Sequence, residues 1–402
     1  MVGLPSQPIR ALCGQLKKLH LHYKRWLRGP EKTGSIQVFG DIMASAPAFS
    51  LHLSFDEGSK GQIWKVHEPV ARPKQKRNHI CIGFSNLHGI VPLSAALDQN
   101  EFASPLVKES EYLQVSKHPS VEVPVDFLFP FHNLRELRIH PLSLTMQSGT
   151  QPPSNLPLFR TLKVLSAAAI QPSILAGQTS HSLERYWENG VYDSHTLLQR
   201  PLTEMPVCTR LVVALCSLAT FKVPQICELC IWFDHPEPNM IWERHVAVNA
   251  NLSGLRLLHL WTWAPSPNID MSKILRSLPA LETLIIVWDP LAPPSVDFFR
   301  AFVPVGTQET SGLNKKRGEG HVPAVLCPKL ESLQIEDIDL TKHEGLGLID
   351  VLREIATILA VAGAPLRSFT FLCSGRKWEL IGPDGGFTVE EVVPTQVFEL
   401  VI

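Results

Sequence analysis

The sequence predicts an α/β chain, an irregular repeat solenoid with a curved parallel sheet and a C-terminal β-hairpin cap. Three observations predict it. A short apolar motif recurs through most of the 402 residues, turn-forming residues stand before several copies, and the last thirty residues carry a hairpin signal instead. Composition agrees. Hydrophobic residues make up 45% and charged residues 19%, enough apolar surface for a sizeable core. Thirty-three prolines suit many short turns and few long helices.

The motif is L-x-x-L-x-L or a close apolar variant. Its clear copies are Leu16-Leu19-Leu21, Leu134-Leu137-Ile139, Ile226-Leu229-Ile231, Leu255-Leu258-Leu260, Leu281-Leu284-Ile286, Leu330-Leu333-Ile335 and Leu366-Phe369-Phe371. Weaker copies stand at Ala48-Leu51-Leu53, Leu162-Leu165-Ala167 and Leu183-Tyr186. The last two apolar positions are two residues apart and so share one face of a short strand. The earlier apolar residue begins the turn that leads in. One such unit cannot bury its own face, whereas stacked units bury a continuous core. Leucine is common, but seven close copies with Pro or Asn around several of them make chance a poor account.

The spacing is irregular. From Leu134 onward, successive starts lie from 21 residues apart (162 to 183) to 49 (281 to 330), against about 20–29 for regular leucine-rich repeats. No convincing copy stands between Leu53 and Leu134. The solenoid is therefore expected over 1–373 with inserted loops at 58–77, 144–155, 171–199 and 306–322, followed by a cap at 374–402. Helices are expected at Ser272–Leu278 and at Leu348–Ala362, where Leu348, Val351, Leu352, Ile355, Ile358 and Leu359 follow helical spacing. In the cap, two β-prone stretches flank Pro383-Asp384-Gly385-Gly386, and Asp-Gly readily takes positive φ.

The C-terminal third also resembles a known family. Leu326-Cys327-Pro328-Lys329-Leu330-Glu331-Ser332-Leu333, then Ala364-Pro365-Leu366-Arg367-Ser368-Phe369, then Gly375-Arg376-Lys377-Trp378-Glu379-Leu380 resemble the tails of fungal (basidiomycete) F-box proteins with divergent leucine-rich repeats. The likeness extends more loosely over Phe131–Ile402. It implies a protein-binding role, with the repeats receiving the target of a cullin-based ubiquitin ligase. An F-box itself opens with Leu-Pro followed by helices. Here Leu4-Pro5 is followed by Ser-Gln-Pro, and a repeat copy begins by residue 16. The expectation is a chain lacking the F-box, which meets the cullin adaptor subunit only if an F-box lies upstream.

Candidate chemistry is sparse. Cys227-x-x-Cys230 is the one close cysteine pair, but it sits inside a repeat strand without a second pair or well-spaced histidines, so a structural role is expected over zinc or redox use. Gly318-x-Gly320 and Gly345-x-Gly347 lack a third glycine, and no Walker loop, nucleophile elbow or H-E-x-x-H occurs. Glu336, Asp337 and Asp339 are read as solvated turn carboxylates. No catalytic, cofactor-binding or metal residue is expected. A formal net charge of −1 gives no general pull toward nucleic acid or membrane. Lys74-Gln75-Lys76-Arg77 and Lys315-Lys316-Arg317 are short basic runs expected in loops. Without an apolar leader or spanning segment, the expected compartment is cytoplasm or nucleus. Two alternatives stay open: an enzyme whose site lies in the insertions, and a nuclear or RNA-associated scaffold.

The expected partner site follows from strand alternation. If Leu258 and Leu260 point inward, residues 257, 259 and 261 face outward. The outward column after each motif reads His22, His140, Trp232, Trp261, Val287, Glu336 and Leu372. Trp232, His259, Trp261, Ile285 and Val287 are therefore expected to form an open patch for a protein partner, since tryptophan is enriched among binding hot spots. The competing expectation is that a nearby loop covers these rings.

Overall fold

A computed structural model describes residues 18–23, 50–55, 78–84, 91–92, 110–116, 121–129, 131–139, 142–146, 156–188, 190, 198–199, 201–233, 237–262, 269–288, 298, 326–336, 367–373, 376–380 and 387–391. The chain is mixed α/β with a large, mainly parallel sheet. It divides into two compact units, residues 1–190 with 203–205, and residues 191–202 with 206–402.

In the first unit, parallel strands follow one another in chain order: Lys18–Tyr23, Ser50–Phe55, Asn78–Phe84, Ser110–Ser116, Glu136–Arg138, Val164–Ala167 and Arg185–Glu188. Each of these strands after the first is hydrogen-bonded to the one before it. A second parallel sheet runs alongside in the order Ala169–Ile170, Ser143–Thr145, Val121–Pro124, Val91–Pro92. Inward residues fill the core: Leu113, Val115, Leu137, Ile139, Leu165 and Ala167 are all fully buried. The turn after Ile170 shows how short the returns are. Pro172 starts the helix Pro172–Leu175, where a missing N–H costs nothing, and Gly177 at φ 71 lets Gln178 donate back to the Leu175 carbonyl at 2.9 Å.

The second unit carries the parallel strands Arg210–Ala214, Glu228–Trp232, Leu257–Thr262, Thr283–Trp288, Ser332–Glu336 and Ser368–Cys373. The strands Arg376–Leu380 and Phe387–Glu391 then pair antiparallel, with Leu380 opposite Phe387. The Asp384-Gly385 segment expected as the turn between them lies outside the described residues. Leu137, Leu229, Leu258, Leu284 and Leu333, read as inward from the motif, are all buried to within 1%.

The backbone explains why the motif starts three residues before the strand. At Leu134, Ile226, Leu255, Leu281 and Leu330 the N–H donates to the carbonyl three residues earlier, at 3.0–3.4 Å, closing a turn. The next two N–H groups then share one carbonyl of the preceding repeat. Cys227 and Glu228 share Thr209, Arg256 and Leu257 share Cys227, Glu282 and Thr283 share Arg256, and Glu331 and Ser332 share Glu282. The donors of each of these turns are thus met by backbone carbonyls ahead of the neighbouring strand. The side chains at these positions also pair across units, as in Arg210–Glu228 (3.4 Å), Arg256–Glu282 (3.8 Å) and Arg367–Glu331 (3.7 Å). These groups are largely exposed, so they tune the register more than they stabilise it.

Among the described residues, two connections in the second unit are helical besides the one that holds the short helix Leu215–Leu218. The helix Met271–Arg276 matches the expected Ser272–Leu278 and is capped by Asp270, which accepts from the Ser272 N–H at 3.1 Å. Pro238–Ile241, the wider turn Trp242–Val246 and Ala247–Asn249 form the other. Its Trp242 is fully buried, and the indole N–H donates to Ser277 Oγ at 3.3 Å, tying the two connections together.

Four differences from the sequence reading stand out. The gap between Leu53 and Leu134 holds two ladder strands, Asn78–Phe84 and Ser110–Ser116. The long interval from Leu183 to Ile226 holds another, Arg210–Ala214, begun by Cys208-x-x-Leu211-x-Val213. The segment 171–199 is not a plain excursion, because the strand Arg185–Glu188 inside it pairs with Val164–Ala167. Ser143–Thr145 likewise puts the start of the expected 144–155 loop into the second parallel sheet. The expected helix 348–362 and the loops 58–77 and 306–322 lie outside the described residues.

Candidate binding face

Alternation along each strand of the second unit sends one set of side chains into the core and the other to the opposite face. Leu229 and Ile231, Leu258 and Leu260, Leu284 and Ile286, and Leu333 and Ile335 take the core side. The opposite side carries two rows in register. One reads Cys230, His259, Ile285, Gln334, Thr370; the other reads Trp232, Trp261, Val287, Glu336. The five residues expected at the partner site thus share one face on three adjacent strands, and the two tryptophans are direct register partners.

The face is not open in the way expected. Trp232 is 9% exposed, His259 7%, Ile285 5% and Val287 8%, leaving Trp261, half-buried, as the accessible member. The physical reason is crowding: large side chains on strands about 4.8 Å apart cover one another's flanks. The imidazole of His259 lies 5.6 Å from the Trp261 ring, tilted by 44°. Glu336, expected in a solvated turn, is instead the last residue of the strand Ser332–Glu336 and is buried, with the Gln334 side-chain amide donating to its carboxylate. Thr262 Oγ1 donates to the Val287 carbonyl at 3.2 Å, fixing the ends of two neighbouring strands.

Burial sets the protonation of this face. It lowers the His259 pKa from 6.5 to about 4 and pushes the Cys230 thiol up to about 12. At neutral pH the face carries a neutral imidazole and a protonated thiol. Neither is poised as an acid, base or nucleophile. Cys227 and Cys230 are both free, and the Cys227 thiol donates to the Thr209 carbonyl at 3.2 Å. Among the described residues, no group of three or more His, Cys, Asp or Glu side chains could hold a metal ion. No described helix is long and apolar enough to cross a membrane.

The first unit adds residues that the sequence reading missed. Gln114, Arg138, Ser166 and Trp187 form one row on four adjacent strands, on the side opposite Leu113, Leu137, Leu165 and Tyr186. The signal was present. Ser110-x-x-Leu113-x-Val115 has the motif's spacing with a polar residue in the first position. No family model matches the chain, and no curated protein matches it.

Proposed function

We propose that this chain is a protein-binding repeat scaffold of the leucine-rich-repeat kind, in which a partner protein docks on the outward side of the parallel strands. The observation that carries the reading is the register of the second unit. Strands begun at Leu255, Leu281 and Leu330 align residue for residue although 49 residues separate the last two starts. Fixed rows of side chains carried on variable connections suit recognition of a surface. They suit catalysis less well, because the rows juxtapose a neutral imidazole, a protonated thiol, indoles and aliphatic groups without an activated nucleophile.

On this reading Trp261 is the contact residue, flanked in register by Trp232 and Val287 and packed beside His259, with Ile285 completing the face. The likeness to fungal F-box proteins extends the proposal to the target-recognition part of a ubiquitin ligase, or a relative of one, working in the cytoplasm or nucleus without a cofactor. The test compares proteins that co-purify with the wild-type chain and with Trp261→Ala, using Arg256→Ala as a surface control. The expected result is a partner retained by the control and weakened by at least ~2 kcal/mol in Trp261→Ala, both variants keeping the wild-type unfolding midpoint. Equal recovery by all three would contradict the proposed face. Purified chain is expected not to bind a cullin adaptor subunit, and recovery of that subunit would show an adaptor-docking segment within these 402 residues.

A further inference from the structure

The outward face of the first unit holds two hydrogen-bond donors that the fold itself does not use. Ser166 is 2% exposed, and its hydroxyl has no hydrogen-bond partner. On the adjacent strand, its register partner Arg138 has a buried Nε–H that is also without a partner. Buried polar atoms are nearly always paired, and leaving one unpaired carries a desolvation cost. Two such donors side by side in one row are therefore an observation to be explained.

The surroundings hold these donors in place. Arg138 Nη2 lies 3.5 Å from the Glu136 carboxylate, and its guanidinium carbon lies 5.7 Å from the centre of the Tyr112 ring. Tyr112 is itself held by its hydroxyl, which donates to Gln114 Oε1 at 2.9 Å. One end of the guanidinium is thus occupied and one face stacked, while the Nε–H is buried without a partner. Ser166 is a short residue in register between the longer Arg138 and Trp187, which leaves a notch in the row above its buried hydroxyl, with a cationic side chain on one hand and an indole on the other. Arg185 stands one column away on the strand beyond, so Arg138, Arg185 and Glu136 leave this stretch of the face with one net positive charge.

We infer that this notch is a carboxylate-binding site, which takes an Asp or Glu side chain of the partner protein. One carboxylate oxygen accepts from Arg138 Nε–H and the other from Ser166 Oγ–H, an arrangement that pairs two donors on neighbouring strands with one planar group. Trp187 and Tyr112 then flank the aliphatic stem of the bound residue. The inference rests on the protein-binding reading for its choice of ligand, but it concerns a different unit and different residues from Trp261.

The test uses the full-length chain labelled with ¹⁵N-arginine, with the Arg138 Nε–H resonance identified as the one lost in Arg138→Lys. N-acetylglutamate amide is titrated in, with N-acetylglutamine amide as the neutral control and inorganic phosphate as a second anion. A saturable shift with the carboxylate, absent with the neutral amide and weaker with phosphate, is the expected result. Ser166→Ala should weaken that binding about tenfold while leaving the unfolding midpoint equal to wild type or higher, since the lost hydroxyl bonds nothing in the free protein. No carboxylate-dependent shift would overturn the site. An equal response to phosphate would overturn its selectivity, and unchanged affinity in Ser166→Ala would remove the hydroxyl from it. Should Arg138→Lys misfold, Ser166→Ala identifies the resonance by displacing it. Loss of the partner in Trp261→Ala is read separately, so failure of either proposal leaves the other standing.

Discussion

Replacing Leu258 with Ala removes three carbons from the middle of the second unit. Leu258 is fully buried and lies in register between Leu229 and Leu284, which are buried to within 1%. Both flanking residues belong to backbone held by shared-carbonyl turns on either side, so the strands cannot close over the gap. The loss is then the transfer term plus a cavity term, about 2–5 kcal/mol, and the upper half of that range applies where collapse is blocked. Urea unfolding followed by tryptophan fluorescence measures it. With a slope of about 3 kcal/mol per molar for a unit of this size, the midpoint should fall by roughly 1.5 M. His259→Ala, one residue along, would remove a side chain from the other face and should cost less. An unchanged midpoint for Leu258→Ala, or a larger loss for His259→Ala, would refute the assignment of inward and outward faces.

Acid should weaken the fold through His259: above pH 6.5 its ring is neutral in both states, while between about 6.5 and 4 the unfolded chain binds a proton that the folded chain does not. Stability contributed at this site should therefore fall by ~3 kcal/mol as pH drops through that window, and urea midpoints for His259→Gln should vary less with pH. Burial pushes the thiols of Cys208, Cys230 and Cys327 up to about 12, so iodoacetamide at pH 8 should leave all three unmodified until urea is added, as read by peptide mass mapping. Asp270→Ala removes the cap of the helix Met271–Arg276 and should cost about 1 kcal/mol, whereas Arg256→Ala, which breaks only an exposed ion pair, should cost less than about 0.5 kcal/mol by the same urea assay.

The legible part of the fold was the part written in leucine. Wherever both inward positions and the turn position were large and apolar, as at Leu255-Leu258-Leu260, the motif located the strand and predicted its buried side. Strands escaped notice where the turn position was filled by something else. Cys208 is small but fully buried, and so serves as well as leucine in front of Leu211 and Val213. In the strand Arg185–Glu188 the second inward position is Glu188, a carboxylate that reads as surface. It is buried because the Tyr186 hydroxyl, on the same side of the strand, donates to it at 2.7 Å. The candidate rows were legible too, since register follows once the motif is aligned, and Trp232 beside Trp261 needed nothing more. Exposure was not legible. It depends on what packs over a face, and a strand's own alternation specifies direction without specifying cover. The Arg138–Ser166 notch was hidden for a further reason, because neither residue belongs to the motif and only the register of the adjacent strands brings them together.

The central claim is that the starts at Leu255, Leu281 and Leu330 place their strands side by side despite unequal spacing. Nitroxide labels at positions 256 and 331, on the column just before the strands, test it directly. Those positions are 75 residues apart in sequence, yet two strand spacings, roughly 10 Å, should separate their backbones. In a chain whose Cys13, Cys81, Cys227, Cys230 and Cys373 are replaced by Ser, frozen-solution electron paramagnetic resonance should show strong dipolar broadening that disappears on unfolding in urea. A spectrum equal to the sum of the two singly labelled chains would place the labels beyond about 20 Å and contradict the stacking of these units.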